Sequence, residues 1–179
     1  MVPDDLCVLV PSDAGWVLAG ACLCSPSYWR LAEKIGRPLA VIHAPVGGLE
    51  GAIGDRIARF LDNLPAGRTF VRRNWNVHRG TERFHPHPED WSTRPGVADC
   101  SGLFVRSERQ TLRKLDAGSL VFTIDVGVYP LAEIAAFPEA ASDLLRAIAA
   151  MSPEERQLFG YRHHGEVLTA WLRGLVASG

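Results

Sequence analysis

Two segments, "LFVRSERQTLRKL" and "SLVFTIDVGV", flank Asp116-Ala117-Gly118 and leave the chain little choice of local fold. Both alternate, both are rich in β-branched and aromatic residues, and a turn ending in glycine joins them, so they predict a β-hairpin. With Gly118 in the left-handed position of a three-residue loop, Leu115 pairs with Ser119. Arg113 then faces Val121, Thr111 faces Thr123 and Arg109 faces Asp125. On the other face Leu112 lies beside Phe122, Gln110 beside Ile124 and Glu108 beside Val126. Leu120, Phe122, Ile124 and Val126 make that second face the core side. Glu108 and Gln110 therefore project from a core face, where an unpaired carboxylate is costly. They sit at a frayed rim of the sheet or they line a polar pocket, and both readings stay open.

The rest of the chain supplies partners for this hairpin. "LCVLV" (6–10) and "WVLAGACL" (16–23) surround Pro11 to Gly15 and predict a second hairpin. "SPSYWRLAEK" opens with Ser25 and Pro26, plausible cap and first-turn residues, and predicts a short helix. Residues 49–64 place Ile53, Ile57, Phe60, Leu61 and Leu64 at helical spacing, with Arg56, Arg59 and acids opposite. "RTFVRRNWNVH" (68–78) predicts a strand, and residues 79–101, with three prolines and no period, a long loop of the kind that is often functional. From Leu131 onward the pattern is helical: 131–150, a short piece after the cap pair Ser152-Pro153, and 162–177. Hairpin, helices, strand, hairpin, helices is the order of an antiparallel α+β domain and not of a doubly wound sheet. The expectation is a single domain over residues 1–179.

Composition narrows the function by exclusion. At 179 residues and 47% hydrophobic, the chain is long enough for a core and a ligand pocket. A net charge of −1 gives no electrostatic reason to expect nucleic acid or an anionic membrane as partner. No basic n-region opens the sequence, and no apolar run reaches the roughly 18 residues of a membrane helix. Cys7, Cys22, Cys24 and Cys100 form no disulfide framework, so a reduced, cytoplasmic protein is expected. The Walker A, G-x-G-x-x-G, H-E-x-x-H and G-x-S-x-G motifs are absent. "HPH" (85–87) and "HH" (163–164) lack companions at metal-ligand spacing and predict solvated or helix-capping histidines. Trp16, Trp29, Trp75, Trp91 and Trp171 predict core or rim positions. No C-x-x-C-H occurs, which argues against covalent c-type haem. His43 ends the apolar run Leu39–Ile42 just before Pro45, as a satisfied core imidazole or as one presented to a ligand.

Several of these segments together resemble one family. "DLCVLV", "GACLCSPSYWRLAEKIGRPLAVIHAPV", "VRRNWNV" and "RSERQTLRKL…VFTI", in this order over about residues 4 to 135, are similar to the haem-dependent oxidative N-demethylase alpha-subunit-like family. The resemblance implies a PAS-like antiparallel sheet with flanking helices enclosing haem b, and oxidation of an amine by dioxygen. It implies electrons from a separate flavin or iron–sulfur reductase. It makes His43 the expected axial ligand of the haem iron, with Cys24 of "CSP" as the alternative. Asn74, Trp75 and Gln110 match the family pattern and are expected near the cofactor. Arg106, Glu108 and Arg109 match it too and are expected to act on substrate or oxygen. Where the family pattern continues "FTI" with arginine, this chain has Asp125, a carboxylate suited to a cationic amine. The implied activity is a haem monooxygenase, an oxidoreductase acting on an amine by N-demethylation or by N-oxygenation, with small-molecule biosynthesis as the expected setting. The alternative is a PAS-like haem gas sensor without turnover.

Overall fold

A computed structural model of the chain describes residues 2–43, 52–87, 96–115 and 118–178. Five strands, β1 (Asp5–Ser12), β2 (Gly15–Cys22), β3 (Thr69–Arg79), β4 (Leu103–Lys114) and β5 (Leu120–Pro130), form one antiparallel sheet in the order β2-β1-β5-β4-β3. Between β2 and β3 come α1 (Leu31–Lys34), α2 (Leu39–His43) and α3 (Ala52–Asp62). A 3-10 turn (Leu131–Ala136) follows β5, then α4 (Pro138–Ala150), α5 (Pro153–Leu158) and α6 (Tyr161–Ser178). The α+β class read from the sequence is the one observed. None of the described helices is long and apolar enough to cross a membrane.

Chain contacts divide the residues into two compact units, interleaved in sequence. The first takes residues 1–74, 83–88 and 108–126. Its core is Cys7, Leu9, Trp16, Leu18, Ile42, Leu61, Leu64 and Leu120, with Phe70, Leu112 and Phe122 packed against it. β1 pairs antiparallel with both β2 and β5. The register with β2 shifts between Val8 and Leu9, a bulge that adds one residue to β2 and twists the pair. Trp16 Nε1 donates to Asp62 Oδ1 at 2.8 Å, and Lys114 Nζ donates to the Asp62 carbonyl at 2.9 Å, so both β2 and β4 are tied to the end of α3. The buried Asp5 carboxylate accepts the amides of Cys24 (2.6 Å) and Ser25 (2.7 Å), fixing the chain as it leaves β2.

The helix expected over 25–34 is shorter than its pattern. Only Leu31–Lys34 is helical, Arg30 is extended, and Tyr28 holds a left-handed φ of 62°. The cause is long-range pairing. The Tyr28 amide donates to the His85 carbonyl (2.7 Å) and the His85 amide to that of Pro26 (3.0 Å), so the segment is bridged to His85 before a helix can start. Ser25, expected as a cap, instead gives its amide to Asp5.

The second unit takes residues 75–82, 89–107 and 127–179. Val77, Leu103, Leu131, Ala141, Leu144, Ile148, Tyr161, Leu168 and Leu172 form its core. α4 buries positions 141, 144 and 148, and α6 buries 161, 164, 168 and 172, each the i, i+3, i+7 stripe of an amphipathic helix. The single helix expected over 131–150 is broken. Pro138 takes the first position of α4 and forces Phe137 out of helical geometry, at φ −134° and ψ 78°.

Candidate functional site

The hairpin register at β4–β5 is the one the turn predicts. The Leu115 amide donates to the Ser119 carbonyl (2.8 Å), the Gly118 amide to that of Leu115 (2.9 Å), and Gly118 has φ 82°. Thr111 and Thr123 hydroxyls meet at 2.6 Å across the strands. On the opposite face Glu108 and Gln110 are buried, 9% and 5% exposed, while Arg109 and Asp125 point to solvent.

Burial of a carboxylate requires donors, and β4 itself and β3 each provide one. Gln110 Nε2 donates to Glu108 Oε2 at 2.8 Å, and Asn74 Nδ2 approaches the same oxygen at 3.4 Å. Arg72 Nε donates to Gln110 Oε1 at 2.5 Å. Arg72, Gln110, Glu108 and Asn74 thus form a ladder in which a guanidinium polarises an amide and the amide supports a carboxylate. Such a network holds one carboxylate oxygen in place. Of the residues named from the sequence, Glu108, Gln110 and Asn74 are brought together. Arg109 and Asp125 are not among them. Arg72 escaped the sequence reading, although its spacing of two from Asn74 on a strand puts it on the same face.

Arg106 and Trp75 belong to the second unit. Arg106 is 2% exposed, and Trp75 is half-buried against the core there. The same unit buries two imidazoles, His78 and His164, each 1% exposed. His164 was expected in solvent or at a cap. It is buried because it occupies the inward stripe of α6, three residues after Tyr161 and four before Leu168, and that spacing was the signal available. Burial lowers its pKa to about 4, with Arg79, His163 and His78 adding to the effect, so the ring is neutral near pH 7. Asn76, 6% exposed, has no partner for its Oδ1 among the described residues. In the "HPH" motif, His87 is exposed and His85 packs its ring on Tyr28, with centroids 5.9 Å apart.

His43 is the last residue of α2, directly after the core residue Ile42. Its side chain, Pro45 and Trp91 lie outside the described residues. Cys24 is exposed, and its thiol is pushed up by desolvation, by the neighbouring Cys22 and by Asp5, which favours the protonated form over a thiolate. Among the described residues no group of three or more His, Cys, Asp or Glu is arranged to hold a metal ion. A haem iron needs only one or two axial donors, and neutral imidazole is a common one. A single axial donor is enough for haem, so the want of a larger metal-binding cluster among the described residues is no obstacle to it.

No curated protein matches the chain. The model of one family, described as haem-dependent oxidative N-demethylase, alpha subunit-like, matches residues 1–170. With nearly its whole length covered by that match, the chain belongs to the haem-dependent oxidative N-demethylase alpha-subunit-like family.

Proposed function

We propose that this protein binds haem b non-covalently in a PAS-like fold and oxidises an amine substrate with dioxygen. The family match over residues 1–170 carries the reading, and the antiparallel sheet with helices between β2 and β3 agrees with it. His43 would hold the haem iron through its imidazole. It follows Ile42, whose side chain is already committed to the core, so the helix end is anchored where a ligand needs a fixed position. When bound, haem supplies the dioxygen and one-electron chemistry that side chains lack.

The chain's own contribution centres on Glu108. Its carboxylate, held by Gln110 and Asn74, takes the ammonium group of the substrate and accepts its proton. Arg72 keeps Gln110 oriented, so the carboxylate does not have to reorganise when the cation arrives. Asn74, Trp75 and Gln110 would serve on the cofactor side, and Arg106 would offer positive charge to an oxygen ligand. Arg109 and Asp125, which face solvent, act at the mouth of the site, where Asp125 attracts a cation. Electrons come from a separate flavin or iron–sulfur protein.

The test is spectral and then chemical. Purified protein titrated with hemin should give a saturable Soret band, and acidified solvent should extract the haem intact. Supplied with reductant, dioxygen and a methylated amine, it should release aldehyde in proportion to oxygen consumed. A protein that binds no hemin refutes the reading. One that binds haem and gas ligands with no product is a sensor.

A further inference from the structure

The second unit holds a groove, about 680 Å³ in volume, between α5, the end of α4 and one side of α6. Nothing in the proposed oxidation uses it. Its size is that of a small-molecule site. Arg156, Arg162 and Arg173 line it against a single carboxylate, Glu166. Arg162 and Arg173 form no ion pair among the described residues. Arg156 is already immobilised, donating from Nη2 to the Ile148 carbonyl at 2.8 Å and from Nε to that of Met151 at 3.3 Å. Nη1 is left for another acceptor, on a side chain whose conformational freedom is already spent.

Tyr161 points independently to a ligand. It lines the groove and is only 5% exposed, and its buried hydroxyl has no partner among the described residues. A buried hydroxyl left unsatisfied costs about 1–3 kcal/mol, so such groups are rare without a reason. One turn along, α6 has Gly165, where a Cβ would lie 3.3 Å from the Tyr161 ring. Glycine inside a helix costs about 1 kcal/mol, and here it keeps the ring seated. Burial also pushes the Tyr161 hydroxyl up against the opposing pull of Arg156, so it remains a proton donor at neutral pH.

We propose that this groove binds a phosphorylated small molecule, its phosphate held by the Tyr161 hydroxyl and the guanidinium groups of Arg156 and Arg162. Two guanidinium groups and a hydroxyl offer more donors than a planar carboxylate accepts well, whereas a tetrahedral phosphate has three terminal oxygens to share. Arg173 and Thr169 lie further along α6 and meet the remainder of the ligand.

Calorimetric titration of the full chain with pyrophosphate, at constant ionic strength, tests this. The expected result is saturable one-to-one binding, weakened about tenfold or more by Tyr161→Phe and by Arg162→Gln. Malonate should bind at least about tenfold more weakly than pyrophosphate. Without ligand, Tyr161→Phe should unfold no more easily than wild type, since the hydroxyl it loses has no partner. Absence of saturable binding, equal affinity for malonate, unchanged affinity in both variants, or a destabilised Tyr161→Phe would each overturn the proposal. None of these readouts depends on haem.

Discussion

Glu108 combines burial with a hydrogen-bonded carboxylate, and its neighbours define what a substitution should do. Gln110 donates to one Glu108 oxygen, and a glutamine at position 108 keeps an acceptor there while losing the charge. Glu108→Gln should therefore fold, bind hemin as wild type does, and lose turnover by about 10² or more, the scale of a missing proton acceptor. Steady-state rates on hemin-loaded protein check it, and wild-type turnover would move attention to Arg109 and Asp125. His164 supports a second prediction. Its folded pKa, about 4, lies below the ordinary histidine value of 6.5, so the unfolded chain binds more protons between the two. That stability contribution is present in full above pH 6.5 and is lost as pH falls toward 4, by up to about 3 kcal/mol. Urea unfolding at pH 7 and pH 5 should show the loss, and His164→Gln should shrink the difference between the two.

At the scale of elements, agreement between sequence and structure follows how local the deciding interactions are. The β4–β5 hairpin was legible because a glycine turn and alternation fix register within a few residues, and Thr111 meets Thr123 as predicted. The start of α5 was legible for the same reason. Ser152 Oγ accepts the Glu155 amide at 3.2 Å, and Glu155 Oε2 accepts the Ser152 amide at 2.8 Å. Ser152→Ala should cost about 1 kcal/mol and lower the melting temperature by roughly 2–4 °C, readable by circular dichroism. The segment 25–30 was not legible, because its conformation is set by Asp5 and His85, 20 and more residues away. The candidate site divides likewise. Glu108 and Gln110 could be placed on a buried face from alternation alone, but their satisfaction by Arg72 and Asn74 required knowing that β3 lies beside β4.

For the molecule as a whole, the chain's path through its two units makes a testable demand. β3, β4 and β5 each give residues to both units, so the backbone of the sheet is shared and neither unit is a continuous stretch of sequence. Unfolding one unit frays strands that the other needs, which predicts a single cooperative thermal transition. Haem bound through His43 engages a residue of the first unit. By linkage, hemin at about 100 times its dissociation constant adds roughly 2.7 kcal/mol to the folded state. For a chain of this length that is a rise of roughly 5–10 °C in melting temperature. Scanning calorimetry should show the one transition move upward intact when hemin is added. His43→Ala should melt near the apo wild-type temperature and fail to shift, whereas Cys24→Ser should shift as wild type does. A transition that splits, with only part of its enthalpy moving, would show two independently folding units and refute the cooperative reading. A hemin shift retained in His43→Ala would refute His43 as the ligand and send the search to the buried imidazoles His78 and His164.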